Sequence, residues 1–445
     1  MNAPPLGEIR ACFEGAIPAM VATCDPAGMP NVAYISQVYY VDEHHVALSF
    51  QFFNKTRQNI LANPNAVVLL LHPVTAQFYR LRIRYLRTET GGPLFEGMKA
   101  QLAGIASHTG MQGVFRLLGS DVYAVEQVEA LPGRSLPPRL PRSGTLGAVR
   151  RTSERLARCA SLDEALAAVL SSLTDLMDVR HAMVLMLDAA TQRLYTVASV
   201  GYATSGVGSE IAIGQGVIGV AARERSPVRI GHMTSAYLYS RAMRSSLEAD
   251  SPGLGPRTEI PYPGLPQPHS QLAVPISSAR GLLGVLFVES PNDLQFGYED
   301  EDALVAIAGH LGAAIELMQA LDDAAEPAAA PPLPAAARGT PLVVRHFASN
   351  DSVFVQDSYL IKGVAGAILC KLLRDYLESG RTEFSNRELR LDGSLRLPDV
   401  SDNLEARLLL LQRRLAEQSP DLRIEKTGRG RFRLVVLRPV QLVRT

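Results

Sequence analysis

The sequence predicts a multi-domain chain: a small β-barrel, an α/β module arranged as an α+β sheet with flanking helices, and a C-terminal helix-and-hairpin module. Three observations predict it. The 445 residues exceed one ordinary domain and suit roughly two to four, at ~100–200 residues each. Two stretches, 131–147 (LPGRSLPPRLPRSGTLG) and 324–341 (AAEPAAAPPLPAAARGTP), are rich in Pro, Gly and Ala and lack apolar periodicity; proline removes backbone donors that helices and sheets need, so both read as linkers. The segments between them then differ in period, from strand-dominated to mixed to helix-plus-hairpin. The division is 1–131, linker 132–146, 147–323, linker 324–341 and 342–445.

Composition narrows the function classes. With 47% hydrophobic and 20% charged residues, the chain is not disordered throughout. The 44 basic residues balance 44 acidic ones, which excludes a wholly nucleic-acid-coating surface but permits a local basic patch. Cys12, Cys24, Cys159 and Cys370 are far apart with no CxxC pair, so neither a disulfide framework nor a structural zinc site is expected, and a reducing cytoplasm is the simplest compartment. Apolar runs such as 66–71 and 408–411 are far shorter than the ~20 residues of a membrane span, and the N-terminus lacks the basic-then-apolar pattern of a secretory signal. No membrane association is expected.

In the first module, strands are expected over 19–23, 31–41 and 46–50, with a proline turn at 25–28 between the first two. A short helix over 55–62 is closed by Asn63-Pro64. Strands 67–71 and 78–87, a helix near 95–106 and a strand at 122–125 follow. Short turns between many strands favour a small barrel. Lys55 and Thr56 open the helix, where free N–H groups and positive potential favour phosphate; a capped surface helix is the alternative reading of the same residues.

The runs AMVATCDPAGMPNV and SFQFFNKTRQNILANP resemble the FMN-binding split-barrel family of pyridoxamine phosphate oxidases, over about residues 9–131. The resemblance implies FMN as cofactor, with Lys55 and Thr56 at its phosphate, Ser49 and Phe50 on the strand running along the flavin, and Gln77 at the isoalloxazine edge. It also matches Tyr34 and Ser36 to positions where the oxidases carry Arg and Lys. It implies a homodimer whose flavin sites are completed by the partner chain. The family's closing Arg/His substrate-phosphate site is not matched, so vitamin B6 oxidation is not expected.

The second module should open with a helix over 147–177, then strands 182–187 and 194–199, a glycine-led helix over 214–225, and strand 228–230. A long loop, 231–269, precedes strands 271–276 and 284–289 and a helix over 298–321. The stretches GQGVIGVAAR, SQLAVPI, GLLGVLFVES and FGYEDEDAL resemble a GAF domain. The resemblance implies a half-open sheet holding a small ligand of unknown identity, or none. His232 and His269 bracket the long loop and could reach a haem; Tyr237, Tyr239, Arg241 and Arg244 could close over a ligand or pack on a neighbouring domain.

In the third module, strands 342–346 and 352–355 precede helices over 364–378, 385–391 and 402–417, then the hairpin 422–437 with its GRGR turn. Asp402 and Glu405 read as a capping box. Leu404, Leu408, Leu411 and Leu415 form one apolar face. From Pro341 onward there are 18 Lys/Arg against 13 Asp/Glu. A helix followed by a basic wing suits a helix in the major groove and a wing on phosphates. The order resembles the winged-helix output domain of two-component response regulators. On that reading Arg407, Gln412 and Arg413 would face base edges of double-stranded DNA, with Lys426, Arg429, Arg431 and Arg433 on phosphates. A protein-docking module is the alternative.

No P-loop, GxGxxG unit, HExxH or serine elbow occurs. Three classes remain: a cytoplasmic flavin-binding sensor with a DNA-binding output, a flavin-dependent oxidoreductase with an allosteric GAF domain, and a binding scaffold.

Overall fold

A 3-10 helix (Leu6–Phe13) leads into β1 (Ala19–Cys24), β2 (Pro30–Ile35), β3 (Val38–Asp42), β4 (His45–Phe50), α1 (Lys55–Ala62), β5 (Asn65–Leu71), β6 (Phe78–Glu89), α2 (Pro93–His108) and β7 (Gly119–Ala130). The computed structural model describes residues 4–13, 19–35, 38–51, 54–108, 116–133, 135–136, 144–231, 260–323, 340–395 and 404–444. The strands form one antiparallel sheet in the order β2-β1-β5-β6-β7-β4-β3. The single strand expected over 31–41 is two strands. Residues 30–35 pair with β1 at one edge, and residues 38–42 pair with β4 at the other. Ile35 and Val38 are three residues apart, so chain length alone keeps them within ~11 Å. The ends of the two edge strands therefore lie close and the sheet curls, but β2 and β3 do not pair, so the β2 edge stays open. Register shifts in β6, at Arg82/Ile83 and Tyr85/Arg87, supply local bending. Val21, Val46, Val68, Leu81, Ile83 and Tyr123 fill the interior.

The second module comprises α3 (Thr145–Leu156), α4 (Leu162–Met177), β8 (His181–Asp188), β9 (Arg193–Val200), β10 (Glu210–Ala212), α5 (Gly216–Glu224), β11 (Val228–Ile230), β12 (Ser270–Ser278), β13 (Gly281–Ser290) and α6 (Tyr298–Asp323). Its sheet runs β10-β9-β8-β13-β12-β11. The helix expected over 147–177 is broken in two: Ser161 accepts the Glu164 N–H, and the Glu164 carboxylate accepts the Ala160 N–H, starting α4 afresh. Strand period decides the layers. Val184, Met186, Leu286 and Val288 face α3, α4 and α6, whereas Met183, Leu185, Val285 and Phe287 face α5. The first module leans on this second face. Ala100 of α2 is part of the α5-side core, Lys99 pairs with Glu224 at 3.0 Å, and a Cβ on Gly104 would fall 2.4 Å from the Val228 side chain. Tyr298 is gripped between Arg10, 3.8 Å from its ring centre, and Arg229 at 4.2 Å.

The third module contains β14 (Leu342–Phe347), β15 (Ser352–Val355), β16 (Ser358–Ile361), α7 (Gly363–Ser379), β17 (Glu383–Ser385), α8 (Asn386–Leu391), α9 (Leu404–Gln418), β18 (Leu422–Gly428), β19 (Arg431–Val436) and β20 (Val440–Arg444). β20 pairs in parallel with β14, and β17-β19-β18 form a second sheet. β16, β17 and β20 are too short or too polar in pattern to have been expected from sequence. Asp402 lies outside the described residues; the capping box the structure shows is at α8, between Ser385 and Glu388. The second and third modules share one continuous apolar core, from Leu166 and Val197 through Leu311 to Leu369, Leu410 and Phe432. α6 is long and apolar enough to cross a membrane by length and composition, but Leu304, Ile307, Leu311 and Ile315 lie buried in that shared core.

Candidate functional site

In the first module, a groove opens beside the start of α1, between β1, β2, β4 and β7. The sequence explains its position. Asn54 caps α1, its side chain accepting the Arg57 N–H at 3.0 Å, and this helix start borders the groove. Tyr34, Ser49, Phe50, Asn54, Thr56 and Arg57 line it, with Ile35, Leu48 and Ile60 as apolar walls. At its base Arg57 is ion-paired with Asp121, both nearly buried. Arg57 also donates to the Thr88 hydroxyl at 2.9 Å, and Thr88 donates to Asp121 at 2.6 Å. The Arg57 guanidinium lies 4.3 Å from the centre of the Phe50 ring. One buried hydroxyl at this base, on Tyr123, has no hydrogen-bond partner among the described residues. Burial, then the Asp121 carboxylate, pushes the Tyr123 phenol far above its ordinary range, so it stays a neutral O–H donor.

The structure brings Tyr34, Ser49, Phe50 and Thr56 together at this groove. It does not bring Lys55 there: Lys55 is half exposed and pairs with Asp25 at 3.3 Å. The basic group at the groove is Arg57, two residues on, which opens the same helix in the sequence but carries no local sign that it, rather than Lys55, turns inward. Gln77 is also elsewhere, its amide donating to the Leu131 and Phe78 carbonyls at 2.6 and 2.9 Å, where it ties strand ends. Ser36 lies outside the described residues. His72 accepts from the Val74 and Thr75 N–H groups at the β5–β6 turn and is not a groove residue. FMN, the cofactor implied by the family resemblance, can be tested against these groups. A phosphate end would find the Thr56 hydroxyl, the Arg57 guanidinium and the first turn of α1. A ring end would find Phe50, Ile35 and Leu48, and the unpartnered Tyr123 hydroxyl can donate to a ring acceptor. The residues fit the group, with Asp121 partly neutralising the cation.

In the second module, Glu289 is fully buried and accepts from the Leu265 N–H at 2.7 Å and the Gln271 amide at 2.9 Å. Tyr202 lies beside it; burial first, then Glu289, pushes its phenol far up. His269 pairs with Asp293 at 3.2 Å. His232, Tyr237, Tyr239, Arg241 and Arg244 lie outside the described residues. Among the described residues, no three His, Cys, Asp or Glu side chains come together to hold a metal ion.

In the third module, the expectation that Arg407 and Arg413 project freely is corrected by packing. Arg407 is buried, 2.9 Å from Asp188 of β8 and 4.3 Å from the centre of the Tyr195 ring. Arg413 donates to Asp163 of α4 at 2.6 Å and to the Val197 carbonyl. Gln412 lines a cleft between the two modules with Asp163, Leu409, Lys426 and Arg431. On the hairpin, Lys426 sits 3.4 Å from Glu405 and Arg433 sits 2.9 Å from Glu425; Arg429 is exposed at the turn. Burial of the α9 arginines had one signal in the sequence: Leu409 and Leu410 fall off the leucine face, so the helix is apolar on two sides.

Comparison with known proteins places two of the three modules. Residues 6–108 match the family model for pyridoxamine 5'-phosphate oxidase, and residues 159–316 match that for the GAF domain. The GAF domain from an Acinetobacter phosphoenolpyruvate-protein phosphotransferase is similar at 22% identity, over 41% of this chain and 98% of that one, with a TM-score of 0.32. An FMN-binding protein from Syntrophomonas wolfei is similar at 16% identity, over 29% of this chain and 86% of that one, with a TM-score of 0.25. HupZ from Group A Streptococcus is similar at 24% identity, over 28% and 97%, with a TM-score of 0.23. Among curated proteins no match is found.

Proposed function

We propose that this chain, with a pyridoxamine 5'-phosphate oxidase-like module followed by a GAF domain, is a cytoplasmic flavin-binding sensor whose C-terminal module is a winged-helix, DNA-binding output. The observation that carries the reading is the groove at the start of α1, where an unpartnered buried hydroxyl, a guanidinium and a capped helix start meet an apolar wall. FMN would supply a redox-active chromophore there. This chain's residues would hold its phosphate with Thr56 and Arg57 and its ring against Phe50 and Tyr123.

Met29, Val32 and Tyr34 support a homodimer through this module: they are 63%, 65% and 79% exposed on or beside the edge strand β2. Apolar side chains on an open edge call for a covering partner, and a second copy there would also wall the groove that Tyr34 lines. The C-terminal reading rests on the order helix, strand, two helices and a basic hairpin, and on the excess of 18 Lys/Arg over 13 Asp/Glu from Pro341 onward. The test is the absorbance of the natively purified protein, followed by FMN titration and a nicotinamide turnover assay. A yellow, saturable and slowly turning-over protein supports the sensor. Steady turnover of ~1 per second or faster would make it an ordinary oxidoreductase, and absence of FMN binding would leave a scaffold.

A further inference from the structure

α9 is buried on two opposite sides. Leu404, Leu408, Leu411 and Leu415 face the core of their own module, while Arg407, Leu410, Arg413 and Glu417 recur at three- and four-residue spacing on the other side. That second side lies on the GAF module. Arg407 meets Asp188, Arg413 meets Asp163 and the Val197 carbonyl, and Glu417 accepts from the Ser205 hydroxyl. Nearby, Lys362 at the start of α7 meets Glu210 of β10 at 3.1 Å. The match is one of charge as well as shape: three cations of the C-terminal module meet three carboxylates of the GAF module. Close approach is permitted by Gly208, with φ +89°, where a Cβ would come within 2.6 Å of Ile260 and 3.6 Å of Leu410 and Arg414.

We propose that this contact is an autoinhibitory clasp, in which GAF carboxylates occupy the guanidinium groups that duplex DNA would otherwise engage. The inference rests on the DNA-binding reading of the C-terminal module. A guanidinium 2.9 Å from Asp188 and buried beneath Tyr195 cannot also donate to a base edge or a phosphate. DNA binding by α9 therefore requires the clasp to open, and whatever opens it raises DNA affinity by the same factor that DNA favours opening. A GAF module that changes shape with its ligand would be positioned to do this, because its central sheet supplies part of the clasp: Asp188 from β8, the Val197 carbonyl from β9 and Glu210 from β10.

The experiment uses the full chain. Asp163→Asn with Asp188→Asn removes two clasp charges while keeping their hydrogen-bond acceptors; Asp178→Asn, an exposed acid away from α9, controls for net charge. Ser205→Ala loosens the other end of α9 without touching a buried charge, and so answers the question should the double variant fold poorly. Two quantities are read: hydrogen exchange along α9, and retention of a short mixed-sequence DNA duplex at two salt concentrations. The clasp predicts faster α9 exchange and about tenfold tighter, more salt-dependent DNA binding in the double variant, a smaller change of the same sign in Ser205→Ala, and none in Asp178→Asn. Wild type that binds DNA as tightly as the double variant overturns the clasp and leaves the DNA reading standing. Faster α9 exchange with no salt-dependent DNA binding in any variant overturns both, and leaves α9 a protein-docking element.

Discussion

Tyr123 is the residue on which the groove is most sharply tested. Its hydroxyl has no partner among the described residues, and its side chain lines the groove. Tyr123→Phe should leave stability unchanged or slightly raised, because deleting an unsatisfied buried polar group relieves its desolvation. FMN affinity should fall about fivefold, the worth of ~1 kcal/mol for one hydrogen bond. Thermal melts with and without FMN separate the two effects, and equal affinity in both proteins would remove Tyr123 from the site. Lys55→Ala should change affinity little, since an exposed pair such as Lys55–Asp25 contributes only ~0–1 kcal/mol. Asp188 gives a pH signature. Burial opposes its ionisation, but Arg407 and the Thr191 contacts outweigh burial and hold the carboxyl below its ordinary range. Its folded value is thus lower than its unfolded value of ~3.9. The stabilisation it lends is complete above that value and is lost as pH falls through the folded value. With the intrinsic pH dependence of amide exchange divided out, protection along α9 should be flat across neutral pH and fall only in acid below about pH 4; a loss of protection near neutrality would assign the clasp to another group.

At the scale of elements, α4 depends on a local device. Ser161→Ala removes its cap and should cost ~0.5–2 kcal/mol, read as a lower urea midpoint; no change would mean that packing of Leu162 and Leu166 alone fixes the helix start. On the hairpin, neutralising Arg429 and Arg431 together should flatten the salt dependence of DNA binding by about two contacts, while an unchanged slope would take the wing off the phosphates. The elements also show what sequence can carry. Glycine-led α5, the paired strands β12 and β13 and the GRGR turn were legible because their patterns are local: a turn residue, an alternation, an apolar stripe. The groove was legible in part, since Thr56, Ser49 and Phe50 are adjacent in sequence to the helix start. Its base was not, because Arg57, Thr88, Asp121 and Tyr123 come together only through the register of β6 with β7. The break in β2–β3 was hidden for a similar reason: residues 31–41 are uniformly strand-like, and only sheet closure decides that they pair at opposite edges. The α9 clasp needed the approach of a second module, although Leu409 and Leu410 already marked a second buried side.

For the whole molecule, the cores imply two cooperative units rather than three. The GAF and C-terminal modules share one apolar cluster, whereas the N-terminal sheet has its own. Unfolding should therefore release the second and third modules together and the first separately. FMN should raise the stability of the first unit most directly, by mass action on the folded form. Coupling between the units would pass through α2 on α5 and through Tyr298 held between Arg10 and Arg229. The central claim, a flavin held at the start of α1, is tested most directly by titrating the full chain with FMN while following flavin fluorescence, with Tyr123→Phe in parallel. The account predicts saturable quenching at one flavin per chain and a weaker, parallel curve for the variant. Flavin fluorescence that stays unquenched across the titration would contradict it.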